Sequence, residues 1–433
     1  CNFGSVGVVW RNVRILRIEL RRSAAGWAGL IVLAVGTGLL YSARERWTTG
    51  YMILAMDQRW YLPLLAGLAV AAGAWQGRRE HACGVAELFA GVPRPRVQQV
   101  VPILLVFGAA LSVAYVGAWS LAALRIAGTA EYRPAGAVAG VVAAGVVALV
   151  AAAWCGLAVG RILPYVVTAP LLAIATFATP LVARGITGHR EWLSTLLFPG
   201  YPLGGATDFA TVPGRLSLAQ LLYLAGLAAG AALLFAAAGR VALLPVLLGS
   251  TAAVLILQGG AAFVGDAIDP AARELVCTGD APYVCVARVH SGVLDEVTPP
   301  ARAALAKLAR LPGAPSRAEE HLGTPLEAGK YPDSLLIPLA IGDDGHVTYL
   351  DRLEDIMLDN VGVLPFVCPD DAPGPDLEVT DAATSWLRGT APAPLRRLDE
   401  REAAARVAAV RRAILNCSPG DDLLTRDSSL PRN

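Results

Sequence analysis

The stretch AVAGVVAAGVVALVAAAWCGLAVG, residues 137–160, runs for 24 residues without a charge. A helix of that length crosses the ~30 Å hydrocarbon core of a bilayer. Only Arg161 and Ile162 separate it from a second apolar run at 163–183, so the two form a tight hairpin. Five more runs lie at 23–43, 59–76, 100–124, 217–238 and 241–264, and none has a charge at its centre. Helices buried in a soluble core would carry polar faces, and these carry almost none. The composition agrees: 55% of the 433 residues are hydrophobic, 16% are charged, and the mean hydropathy is +0.52. The reading is an α-helical polytopic membrane protein with about seven transmembrane helices, followed by a small α/β or α+β domain.

Charge divides the chain near residue 265. Residues 1–264 hold 19 basic and 8 acidic side chains, and residues 265–433 hold 17 and 27. A basic membrane domain thus precedes an acidic soluble one. The segment before the first span and the loops after the second, fourth and sixth collect 11 arginines and 3 acids. The opposite loops, longer in total, hold 8 and 5. The positive-inside tendency therefore predicts a multi-pass protein of the cytoplasmic membrane with its N-terminus cytoplasmic. Seven crossings then put residues 265–433 outside. Residues 8–22, VVWRNVRILRIELRR, predict an amphipathic helix on the inner interface, with a plain basic anchor as the alternative. The chain opens on Cys1 rather than Met, which points to a truncated start, and the basic segment behind it argues against a lipoprotein cysteine.

The acidic part contains Cys277, Cys285, Cys368 and Cys417. An even set in a soluble segment suggests disulfides and an oxidising compartment. LVCTGDAPYVCV, 275–286, predicts a hairpin in which Cys277 and Cys285 face each other. Cys368 and Cys417 make the second pair of that reading, although three connectivities exist and a zinc site is the rival. YVCVARV and VGVLPFVC predict strands. PPARAALAKLARL and LRRLDEREAAARVAAVRRAILNC predict amphipathic helices, and SRAEEHLG predicts a solvated helix edge.

No catalytic signature is present. The five histidines, His81, His189, His290, His321 and His346, are scattered, and no HExxH or GxSxG occurs. GTPLEAGKY at 323–331 has the wrong glycine spacing for a phosphate loop and Tyr331 where Ser or Thr should bind magnesium. The acidic turns GDDGH and CPDDAPGPD lack the alternation of a calcium loop. The expectation is therefore no catalytic residue, no metal site and no nucleic-acid partner. Pro164, Pro170 and Pro180 in the fifth run are candidate helix kinks. EWLSTLLFPGY, 191–201, is apolar but too short to span, and predicts a re-entrant or interfacial helix.

One loop stands out on the basic side: GRREHACGVAELFAGVPRPR, 77–96. REHACGVAELF predicts a short helix with Val85, Leu88 and Phe89 on one side and Arg79, Glu80 and Glu87 exposed, stopped by the prolines after it. A rigid charged helix between two spans suits docking into a groove on a partner. Here the sequence resembles the ABC-2-type transporter permeases. Arg78, Arg79, Gly84, Glu87, Leu88, Pro93 and Arg94 match the family's loop in character, with Phe89 in place of a leucine and one extra residue before the glycine. The resemblance covers roughly residues 8–264. It implies an ATP-driven exporter of a hydrophobic or amphiphilic substrate, with ATP and magnesium on a separate cytoplasmic ATPase subunit and no cofactor on this chain. It also implies a second permease copy or paralogue, surrounding membrane lipid, and a loop, 77–99, through which Arg78, Arg79, Glu80, Glu87, Leu88, Phe89 and Arg94 take up the ATPase stroke. A six-span core is usual in that family, so the seventh span and the tail depart from it. The competing reading is a membrane-anchored extracytoplasmic binding or sensor protein without transport.

Overall fold

The computed structural model describes residues 23–79, 96–187, 191–197, 207–258, 267–323, 333–364, 376–390, 392–420 and 422–424. It divides into two units: Cys1–Ala127 with Arg133–Asp269, and Gly128–Tyr132 with Pro270–Asn433.

The first unit is helical, because a chain in hydrocarbon must pair every backbone N–H and C=O internally. Among the described residues its helices are α1 (Ala25–Ser42), α2 (Tyr51–Trp60), α3 (Leu62–Gly77), α4 (Arg96–Arg125), α5 (Ala135–Ile162), α6 (Thr168–Thr187), α7 (Glu191–Leu197), α8 (Gly214–Phe235) and α9 (Leu243–Gln258). Each of the seven apolar runs contributes a helix, with residues 259–264 of the last run outside the described ones. Among the described residues, however, only five helices are long and apolar enough to cross a membrane: Ala25–Ser42, Val100–Arg125, Ala135–Ile162, Gly214–Phe235, and Gly239–Gln258 with its leading 3₁₀ turn. The expected count of seven is to that extent corrected. The second run breaks at Tyr61, and Pro63 starts a new helix of 16 residues. The fifth contributes the shorter apolar stretch Thr168–Val182.

Helix directions follow from which ends meet. Gly29 and Gly36 of α1 face Ala110 and Ala118 of α4, and the Tyr41 hydroxyl donates to the Leu121 carbonyl at 3.3 Å. These two helices run parallel. The Ala24 N–H donates to Gln76 Oε1 at 3.1 Å, so the start of α1 lies beside the end of α3 and the pair is antiparallel. Trp154 Nε1 donates to the Leu104 carbonyl at 3.1 Å, which makes α4 and α5 antiparallel. Gly140 meets Ser217 at one end of α5 and α8, and the Arg161 guanidinium donates to the Phe235 carbonyl at the other, so these run parallel.

The tightest contact joins α3 to α5. A Cβ on Gly73 or Gly77 would lie 2.1 or 2.2 Å from the carbonyl oxygens of Ala153 and Leu157. A Cβ on Gly156 or Gly160 would lie 2.1 or 2.2 Å from those of Val70 and Ala74. Both helices thus carry a Gly-xxx-Gly pair and touch backbone to backbone, in parallel.

The second unit holds α10 (Pro270–Arg273), β1 (Leu275–Cys277), β2 (Val284–Ala287), α11 (Leu294–Leu308), β3 (Arg317–Glu320), β4 (Ser334–Ile337), α12 (Leu353–Gly362), α13 (Leu377–Leu387) and α14 (Glu400–Leu415). The sheet has the order β1-β2-β3-β4, with β1 antiparallel to β2 and the rest parallel. The α11 crossover supplies Val297, Ala301, Leu305 and Leu308 to a core shared with Val284, Ala318, Leu335, Leu358, Trp386 and Val407. Caps fix the last two helices: Asp376 accepts from the Glu378 N–H, and Asp399 from the Glu402 N–H.

Two tail readings are corrected. Arg317–Glu320 of SRAEEHLG is a strand, not a solvated helix edge, because a central parallel strand is covered on both faces and overrides the local helix preference. Val361 and Gly362 of the expected strand VGVLPFVC instead end α12. Asn360, Val361 and Gly362 close that helix with positive φ, and residues 365–368 lie outside the described ones.

Candidate functional site

The expected docking loop begins where α3 ends. The Arg78 N–H donates to the Ala74 carbonyl at 3.2 Å, and its guanidinium lies 3.9 Å from the centre of the Trp75 ring. Arg79 is exposed. Both charges sit at the negative end of the helix dipole, where cations are favoured. Glu80, Glu87, Leu88, Phe89 and Arg94 lie outside the described residues. Arg161 ends α5, the parallel neighbour of α3, so Arg78, Arg79 and Arg161 share one end of the bundle.

Of the candidate kinks, Pro164 falls in the turn between α5 and α6, and Pro170 in the first turn of α6, where a missing N–H breaks no helical bond. Pro180 lies inside α6. Cys277 and Cys285 form a disulfide across β1 and β2. The Thr278 N–H donates to the Val284 carbonyl and the Arg288 N–H to that of Glu274. The cysteines therefore occupy the non-hydrogen-bonded register between these pairs, where Cα atoms come closest, here 4.0 Å. Cys417 is also disulfide-bonded; Cys368, its expected partner, lies outside the described residues. With three of these cysteines oxidised, the rival zinc site loses its thiolates.

Sequence reasoning missed a buried polar cluster among the described residues of the first unit. It placed no charge at the centre of a span, and α2 buries ionisable residues just ahead of the second one. All of Tyr51–Arg59 is buried, including Asp57, Gln58 and Arg59. Arg59 is 1% exposed, and its Nη2 donates to Gln220 Oε1 of α8 at 2.6 Å; Gln220 is itself 1% exposed. Gln58 Nε2 donates to the Tyr115 carbonyl of α4 at 2.8 Å. Asp57 Oδ1 pairs with Arg46 at 2.8 Å. The Tyr51 ring meets Trp119 and lies under Arg133, with centres 6.3 and 5.3 Å away. Among the described residues Asp57 Oδ2, Gln58 Oε1, Tyr115 Oη and Trp119 Nε1 have no hydrogen-bond partner, although all four atoms are shielded from solvent. The run MDQRWY, 56–61, was the available signal: three consecutive polar residues set between apolar ones at the head of a span.

The second unit buries a smaller pair. His290 Nδ1 lies 2.6 Å from Glu320 Oε1, and Glu320 Oε2 accepts from the Ala287 N–H at 2.7 Å. This holds the turn after β2 against β3. Among the described residues no group of His, Cys, Asp or Glu is arranged to hold a metal ion.

No protein-family model, curated protein or solved structure matches the chain.

Proposed function

We propose that the chain is the permease subunit of an ATP-driven exporter, moving a hydrophobic or amphiphilic substrate with the aid of a separate cytoplasmic ATPase and a second permease copy or paralogue. The observation that carries this reading is α3. One end bears Arg78 and Arg79 and opens the loop 77–99; the other adjoins the buried polar cluster of α2. Backbone contact with α5 makes α3 a stiff lever between them. A push on the loop is thereby delivered to the charged core of the bundle, where a polar or amphiphilic solute has hydrogen-bonding partners.

We further propose seven crossings. Because α1 and α4 run parallel, the chain returns between them, and α3, antiparallel to α1, supplies the return. Because α5 and α8 run parallel, α6 supplies another. Tilt and local thinning of the bilayer accommodate helices of this length. An odd number of crossings from a cytoplasmic N-terminus makes the second unit extracytoplasmic, which suits its disulfides. The alternative, an anchored binding or sensor protein, draws on the second unit's separate core.

The test is purification of the tagged protein from its native host in mild detergent, beside a variant with Arg78, Arg79, Glu87 and Arg94 changed to alanine. The expected result is an ATPase that co-purifies with the first and is lost from the second. No ATPase with either protein overturns the exporter reading.

A further inference from the structure

We infer that the polar cluster around α2 is a binding site for the anionic head, phosphate or carboxylate, of an amphiphile; as a substrate site it rests on the permease reading above. Three donors lie on α2 or against it: Arg59 on the helix, Tyr115 beside Gln58 and Arg59, and Trp119 against Tyr51. Arg59 offers a guanidinium, whose fork of N–H groups serves several acceptors at once and matches two-oxygen anions. Its Nη2 donates to the neutral amide of Gln220. Tyr115 Oη is the electrostatic neighbour of Arg59, and it has no hydrogen-bond partner among the described residues. The Trp119 indole N–H is in the same position one helical turn further along α4.

Space is kept for the hydroxyl. Gly145 of α5 stands opposite it, and a Cβ there would lie 2.3 Å from Tyr115 Oη. Gln58 is fixed by its bond to the Tyr115 backbone, which leaves Oε1 to accept from a protonated head or a water. Shielded polar atoms without partners are costly in a low-dielectric core, and a set of them on facing helices is accounted for by a polar occupant. The charge balance selects an anion. Residues 43–61, 125–127, 133–134 and 207–215 of the first unit carry Arg44, Arg46, Arg59, Arg125, Arg133 and Arg215 against Glu45, Asp57 and Asp208. Asp57 is already bridged by Arg46. The surroundings select an amphiphile, since Tyr115 shares one apolar core with Leu65, Phe107, Leu111 and Leu149.

The experiment titrates the purified full chain, in nanodiscs of phosphatidylcholine, with dodecyl phosphate, dodecanol and inorganic phosphate. Dodecyl phosphate is expected to bind at least about tenfold more tightly than either fragment, as a charge-assisted hydrogen bond predicts. Tyr115→Phe keeps the ring and removes only the partnerless hydroxyl, so it is expected to leave the melting temperature unchanged or raised while weakening dodecyl phosphate about tenfold. Arg59→Lys is expected to weaken it as well. Equal binding of dodecyl phosphate and dodecanol, or of dodecyl phosphate and inorganic phosphate, overturns the site as described. So does wild-type affinity in Tyr115→Phe. If head selectivity fails while an ATPase still co-purifies, the site falls alone. If selectivity holds and no ATPase is found, the exporter reading falls and an anion-head site remains.

Discussion

Gly156 has no room for a methyl group. Its α-carbon lies against the Val70 carbonyl, and a Cβ would approach that oxygen to 2.1 Å. Gly38 of α1 has nothing within 4 Å of the same position. The two make a matched experiment. Gly156→Ala is expected to destabilise the purified protein by about 1–3 kcal/mol, since the two helices must separate. Gly38→Ala is expected to be neutral or slightly stabilising through helix propensity. Thermal unfolding in detergent reads both, and equal midpoints would remove close packing as the link between α3 and α5. The spacing of Gly73, Gly77, Gly156 and Gly160 was visible in the sequence, but the pairing of these helices was not. Glycine at that spacing also occurs on lipid-facing surfaces, and only the partner's position tells the cases apart. Arg59 was hidden for a related reason. It stands at the edge of an apolar run, where an arginine ordinarily reaches the interface. Its burial depends on α2 turning the MDQRW segment inward, which no local pattern dictates.

At the scale of elements, legibility tracked how far a segment's environment is set by its own neighbours. The seven apolar runs were readable because hydrocarbon demands the same composition along a whole helix. The hairpin 275–286 was readable because its turn and paired cysteines lie within one short window. Asp280 in that turn bonds Arg302 of α11 at 2.8 Å, and this guanidinium holds its carboxyl below the usual 3.8. The failures were Arg317–Glu320 and Val361–Gly362, whose conformations are decided by distant partners: the neighbours of a central strand, and the packing of Gly362 over Leu308 and Leu335. The hairpin also carries a prediction. Its disulfide closes a loop of sequence separation 8. Replacing Cys277 and Cys285 by serine is expected to lower local stability by roughly 2–3 kcal/mol, the loop-closure entropy regained by the opened chain. Hydrogen exchange of peptides covering β2 and α11 in the full chain measures it. Unchanged protection would mean that the α11 core alone holds the edge of the sheet.

At the scale of the molecule, length and direction give different crossing numbers, and they can be separated in cells. Among the described residues span length alone counts five helices, which leaves α3 and α6 on one side of the membrane. In that arrangement Arg44, after α1, and Arg79, after α3, face the same compartment, and α1 and α4 cross in opposite senses. The contacts of Gly29, Gly36 and Tyr41 with α4 require the same sense. Seven crossings satisfy them and put Arg44 and Ala127 opposite Arg79 and Arg240. All four positions are exposed. Single cysteines at these sites, in an otherwise cysteine-free chain, are therefore expected to divide into two pairs when intact cells meet a membrane-impermeant maleimide. Arg44→Cys and Ala127→Cys should be labelled from outside, and Arg79→Cys and Arg240→Cys only after the membrane is opened. Labelling of Arg44→Cys and Arg79→Cys from the same side would leave α3 as a helix that enters without crossing, and would detach the loop 77–99 from any cytoplasmic ATPase. The division into two pairs would instead put the lever's basic end on the ATP side and its polar end on the far side.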